Sequence, residues 1–287
     1  MKLMKKIFYT GAIAAAIFFL NDVKAQGFYT DVNIGYGWGL GESNLGMKTY
    51  DDFIGDGDTE EAIYGTLGGG LTIAVAPGYM INEYIGIELG VNYFVGEKKV
   101  INELTTSLDT RYDRTTANSN QLRILPTLFL RTGGDKFYAY SKSSLLVPVL
   151  GSTIGVREES KVDPINGVLL ERTSTTTNGS FTVGFRGAIG MGYQITEMIG
   201  LNLEVAYTSL SIKPKNRTVD SYTINDTELI ADFLPYVKDI EYVDQLNSSS
   251  NNSSYNSNFS MDKPKEELAT KTNFSQIGVT LGVKISF

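Results

Sequence analysis

From Gly27 onward, apolar residues recur at every second position in eight separate stretches, the period of a β-strand whose two faces meet different surroundings. In the first, Phe28, Val32, Ile34, Tyr36 and Trp38 share one face while Asp31, Asn33, Gly35 and Gly37 share the other. The second sets Leu71, Ile73, Val75 and Tyr79 together, and the third sets Ile87, Leu89, Val91 and Tyr93 against Glu88 and Asn92. The fourth opposes Leu122, Ile124, Leu128 and Leu130 to Gln121, Arg123 and Thr127, and the fifth, "FYAYSKSSLLVPVL", follows with weaker contrast. The sixth places Phe181, Val183, Phe185, Ile189, Met191 and Tyr193 against Arg186 and small residues. The seventh sets Leu201, Leu203, Val205 and Tyr207 against Asn202 and Glu204, and the eighth sets Ile277, Val279, Leu281, Val283, Ile285 and Phe287 against Gln276, Thr280, Lys284 and Ser286. Pro126 and Pro148 each lack a ladder donor, so bulges are expected there, with facing beyond them slipping by one.

The predicted fold is all-β: eight antiparallel strands in an up-and-down transmembrane barrel with long extracellular loops. The connections decide which face is out. Short turns around "INEY", "RTGGDK" and "TEM" alternate with long polar segments over about 41–65, 96–120, 151–179 and 211–271. That asymmetry is the habit of outer-membrane barrels, whereas a soluble ligand-binding barrel would turn its apolar face inward. Aromatics at the strand ends fit two interfacial girdles, with Tyr79, Tyr193 and Phe287 at the short-turn end and Trp38, Tyr93 and Tyr207 at the other. Gly78–Tyr93 also aligns without gaps to Gly192–Tyr207, so two hairpins share one design.

The first 25 residues read as a cleaved secretory signal: Lys2, Lys5 and Lys6, an apolar run from Ile7 to Leu20, and a small-residue exit at Ala25. The rest, 26–287, would keep 21 basic and 31 acidic residues, a net charge of −10 that argues against a nucleic-acid partner. The chain has no histidine and no cysteine, which removes the usual general base, the commonest metal ligand and the partners of nucleophile activation. Neither catalytic residues, a cofactor nor a metal site is expected.

The export signal, the alternating stretches, the hairpin "GYMINEYIGIELGVNYF" and the closing "LGVKISF" together resemble the small bacterial outer-membrane β-barrel domain family, close to the OmpA/OmpX/OmpW group. The resemblance implies an integral protein of the Gram-negative outer membrane with both termini periplasmic. It also implies that the last strand, through Leu281, Val283, Ile285 and Phe287, carries the signal read by the barrel-assembly machinery.

Inside so narrow a barrel, side chains fill the space. The inward positions read as charged or small. Asp31, Glu88 and Glu204 stand against Arg123, Lys142, Arg186 and Lys284, and opposite charges there are expected to pair. Specific function belongs to the loops. In loop 1, "DDFIGDGDTEE" reads as a solvated acidic face rather than a Ca²⁺ loop, since its spacing is not that of an EF-hand. In loop 3, Asn166-Gly167 marks a hairpin turn that would extend strands 5 and 6 past the membrane. In loop 4, Asp226 to Leu246 has the apolar content for a short helix broken near Pro235 that caps the barrel mouth, and "NSSSNNSSYNSNFS" reads as mobile. Two functions stay open: a non-enzymatic barrel acting through its loops on the envelope or on a protein partner at loops 3 and 4, and a narrow porin-like conduit for small or hydrophobic molecules.

Overall fold

The computed structural model describes residues 27–287 apart from 42, 53, 54, 56, 108–110, 135 and 164–166; the expected signal peptide lies outside the described residues. The eight alternating stretches become β1 (Phe28–Gly39), β2 (Gly70–Met80), β3 (Ile85–Gly96), β4 (Arg111–Arg131), β5 (Phe137–Asp163), β6 (Gly184–Gln194), β7 (Ile199–Ser209) and β8 (Gln276–Ser286). Each pairs antiparallel with the next, and β8 returns to β1 along a ladder from Tyr29↔Ser286 to Gly39↔Gln276, so the eight close into a ring.

The period-2 pattern sorts as its chemistry requires. Ile34, Ile73, Leu89, Ile189 and Leu281 stand exposed on the outer face, whereas Asp31, Asn92, Arg123, Lys142 and Glu204 are buried inside the ring. The shared hairpin design is carried by one side chain in each turn. Asn82 Oδ1 accepts from the backbone N–H groups of Tyr84 and Ile85, and Thr196 Oγ1, at the matching position, accepts from those of Met198 and Ile199.

The four long connections depart from the expectation of polar loops. Ser43–Asp51, Thr59–Gly65, Lys99–Thr106, Gly167–Gly179, Pro214–Ile224, Asp239–Val243 and Lys265–Leu268 are strands, and β4 and β5 run on for 21 and 27 residues. Above the ring these segments and the upper halves of β4 and β5 form one open sheet, ordered from Thr59–Gly65 at one edge to Lys265–Leu268 at the other. Apolar and polar residues do not alternate cleanly in these segments, yet threonine-rich runs such as Thr173–Thr177 favour extended backbone through their β-branched side chains. Asn166 lies outside the described residues, but the strands flanking it pair from Asp163↔Gly167 downward.

Two other readings are corrected in loop 4. Asp226 to Leu246 does not cap the ring but packs on the outer sheet, with one helical turn on each side of Leu234 and rings of Phe233 and Tyr222 at 5.0 Å. The mouth is closed instead by Leu67, Leu210 and Phe274, which bury against Leu125 and Leu146. The Asn/Ser-rich segment is a bonded structure: Asn251 holds the Ser260 and Pro264 carbonyls and accepts from the Ser260 N–H, and Asn252 donates to the Glu266 carbonyl. Asparagine side chains there do the work that an apolar core does elsewhere.

Candidate functional site

The ring interior divides into two levels. Near the short turns, Tyr29, Phe129, Tyr138 and Tyr140 fill the lumen, and glycines face them because nothing larger fits: a Cβ on Gly78 would come within 2.5 Å of the Tyr29 ring. Parity placed Tyr138 and Tyr140 on the Lys142 face, but the weak contrast of the fifth stretch hid it, so the inward positions are not only charged or small. Among these rings Lys142 Nζ donates to Asp31 Oδ2 at 2.9 Å and lies 3.0 Å from Glu88 Oε2, while the Tyr29 hydroxyl donates to Glu88 Oε1 at 2.8 Å. Lys284 sits across the β1–β8 ladder from Asp31, and its Nζ lies 3.5 Å from the centre of the Tyr29 ring with no hydrogen-bond partner.

At the upper level Arg186 pairs with Glu204. Arg123, 1% exposed, meets no carboxylate among the described residues; its Nε donates to Gln121 and its guanidinium stacks 4.1 Å from the Phe94 centroid. The expectation that all seven inward charges pair is therefore corrected. Five pair, and Arg123 and Lys284 rest on aromatic faces, which attract cations without supplying a counter-charge.

The ring has one gap. On β5 the ladder to β6 ends at Leu146↔Gly184, and the ladder to Gly167–Gly179 begins at Ser152↔Asn178, so residues 147–151 have no strand beside them on that edge. The cause is local. Pro148 brings no donor, and the β4–β5 register shifts between Leu122↔Leu150 and Arg123↔Pro148. Facing slips by one beyond the shift, as Pro148 suggested: Lys142, Ser144 and Leu146 point inward below it, and Glu159 is buried above it. The bulge expected at Pro126 does not form, since Pro126 pairs with Leu89 in unbroken register and Arg123, Leu125, Thr127 and Phe129 stay buried at one parity. Residues 181–183, expected to begin strand 6, leave the wall as the preceding Ser180 bonds to Lys213 instead, and Phe181 is left 81% exposed. A cavity of about 540 Å³ fills the gap, lined by Val147, Pro148, Leu150, Phe181, Ile212 and Phe274 with hydroxyl and amide side chains but no charged group.

Trp38, Tyr79, Tyr193 and Tyr207 are exposed on the outer face at the ends of the ring, and Tyr93 is half-buried. Leu281 and Val283 are exposed with them, Ile285 is half-buried, and the Phe287 N–H donates to the Phe28 carbonyl at 3.0 Å, zipping the end of β8 to the start of β1. On the outer sheet Arg157 bridges Asp113 and Glu159, two buried carboxylates, and that hydrogen bond to Asp113 raises its own affinity for the proton. Beside them Lys161, hydrogen-bonded to Glu171, holds that carboxyl below the usual range. Among the described residues no group of three acidic side chains is placed to hold a metal, and no helix is long and apolar enough to cross a membrane.

Residues 10–229 match the family model described as outer membrane protein beta-barrel domain. No curated protein matches the chain. A solved structure, Neisserial surface protein A (NspA), is similar at 12% identity and a TM-score of 0.37, over 91% of this chain and 98% of that one.

Proposed function

The chain belongs to the outer membrane protein beta-barrel domain family, and from that premise we propose that it is a non-enzymatic, eight-stranded transmembrane barrel that presents its open upper sheet as an envelope interaction or complex-accessory component. The exposed apolar band, with Ile34, Leu89, Ile189 and Leu281, faces outer-membrane lipid, and the aromatics at its two ends sit at the interfaces. The short turns and both termini face the periplasm, the upper sheet faces outward, and the β8 end from Leu281 to Phe287 is presented to the assembly machinery. Orientation is tested by Leu281→Arg. Facing lipid, it should cost about 2–4 kcal/mol of folding stability in liposomes; facing water, it should cost almost nothing, and that result would reverse the assignment.

The observation that carries the role is the upper sheet itself: seven strands in line beyond the ring among the described residues, three from loops 1 and 2 and four from loops 3 and 4, are far more than closing a narrow barrel requires. A protein partner at loops 3 and 4 follows from that surface. The experiment is purification from native membranes in mild detergent after cross-linking. The tag belongs next to Gly27, because the Asn/Ser-rich segment is bonded internally and Phe287 must stay free. A stoichiometric companion lost on replacing Gly167–Gly179 supports the role; a lone monomer refutes it.

The gap at 147–151 favours a second reading, a narrow conduit that passes small neutral or hydrophobic molecules sideways from the upper lumen into the membrane, since the rings of Tyr29, Phe129, Tyr138 and Tyr140 obstruct the way down. Uptake that falls when Phe181 and Val147 are replaced by charged residues would support it, and unchanged uptake would remove it.

A further inference from the structure

The two levels of the lumen do not carry the same charge. Near the short turns Asp31 and Glu88 face Lys142 and Lys284, and the sum is zero. Above them Glu204 pairs with Arg186 while Arg123 meets no carboxylate among the described residues, which leaves one positive charge over. The excess is Arg123, the largest fully buried side chain among the described residues. Its Nη2 has no partner among the described residues, although a guanidinium out of water costs several kcal/mol unless it is compensated.

Beside it lies a small cavity lined by Arg123, Arg186, Asn92, Gln276, Thr72 and Thr208. Its volume is about 20 Å³, enough for one water-sized particle and too little for phosphate or a carboxylate. Asn92 Oδ1 and Gln276 Oε1 are buried without partners, so turning either amide about its last bond would aim an NH₂ at the same point. Arg123 and Arg186 therefore border a space where positive charge is uncompensated, and either amide, once turned, would add a donor to it. A water would satisfy Nη2 but leave the charge. We propose that this cavity binds a single halide ion, chloride in the cell, between Arg123 and Arg186, and that the ion is a structural counter-charge of the upper lumen. The inference rests on the buried geometry and stands whichever role the upper sheet has.

The test uses the full-length folded protein in detergent. Thermal unfolding is followed in sodium chloride, sodium bromide and sodium gluconate at matched ionic strength, and crystals grown in bromide are examined for anomalous scattering. The expected results are an unfolding temperature several degrees higher in either halide than in gluconate, rising to saturation, and one bromide peak within hydrogen-bond distance of the Arg123 guanidinium. In Arg123→Gln, which removes the excess charge, the halide dependence should vanish. Equal unfolding temperatures in halide and gluconate, no peak at that cavity, or a halide dependence that survives in Arg123→Gln would each overturn the proposal. Should the variant fail to fold, the salt series and the bromide map on the unaltered protein decide alone.

Discussion

Lys142→Met tests whether the buried ion cluster is structural. The ammonium lies 2.9 Å from Asp31 and 3.0 Å from Glu88, and the three side chains are between 2% and 6% exposed. At an effective dielectric constant of about 20, each contact is an attraction of about 5–6 kcal/mol. Much of that offsets the removal of three ions from water, so the net worth of the cluster is far smaller than the sum. Removing only the lysine loses the attraction and keeps both carboxylates buried, with Lys284 alone to balance them. The expected cost is about 3–5 kcal/mol. Urea unfolding in liposomes measures it, with Trp38, the one tryptophan and exposed on the outer face, reporting departure from lipid. The double variant Lys142→Met, Glu88→Gln should recover most of the loss, because the charges left at this level, Asp31 and Lys284, are neighbours across the β1–β8 ladder and cancel. Arg172→Ala, which touches a pair more than half exposed on both sides, should cost no more than about 0.5 kcal/mol. A loss below about 1 kcal/mol in Lys142→Met, or a double variant weaker than the single one, would refute the reasoning.

Arg186→Ala should lower the unfolding temperature in detergent, since it leaves Glu204, 5% exposed, without its partner; an unchanged temperature would count against the upper pair. Gly192→Val places a side chain against the Tyr138 ring and should cost about 1–3 kcal/mol in the same urea assay, with a full-stability variant ruling out the close packing. Acid should loosen the outer sheet. Lys161 lowers the proton affinity of Glu171, so the stability that carboxylate contributes is present above its ordinary value near 4.3 and is lost as the pH falls through the lowered folded value. Hydrogen exchange across β5 and Gly167–Gly179 would show this, and Glu171→Gln should flatten the acid step. Replacing Phe287 by Ser should reduce the fraction of chain assembled in the membrane, read by heat-modifiable gel mobility. Equal assembly would deny the end of β8 its role.

The eight ring strands were legible because alternation is a local signal. Each of Val32, Ile34 and Tyr36 reports its face through its neighbours two residues away, and the paired turns at Asn82 and Thr196 repeat within one short alignment. The seven inward charges were found by the same parity, as was the slip beyond Pro148. The inward tyrosines of β5 were missed because apolar and polar residues there do not alternate cleanly, and the outer strands were missed because threonine and serine look alike on both faces.

The sequence by itself determined which residues of the cleanly alternating strands face in or out and where the short turns fall, since period and turn chemistry act over a few residues. Only the tertiary structure decided the rest. That Arg123 stands without a carboxylate while Lys142 has two, that the wall opens at 147–151, and that the long connections join one sheet all depend on register between strands distant in the chain. Register is settled by the closure of the ring and by the bulge beside Pro148, where a one-residue shift exchanges inside for outside.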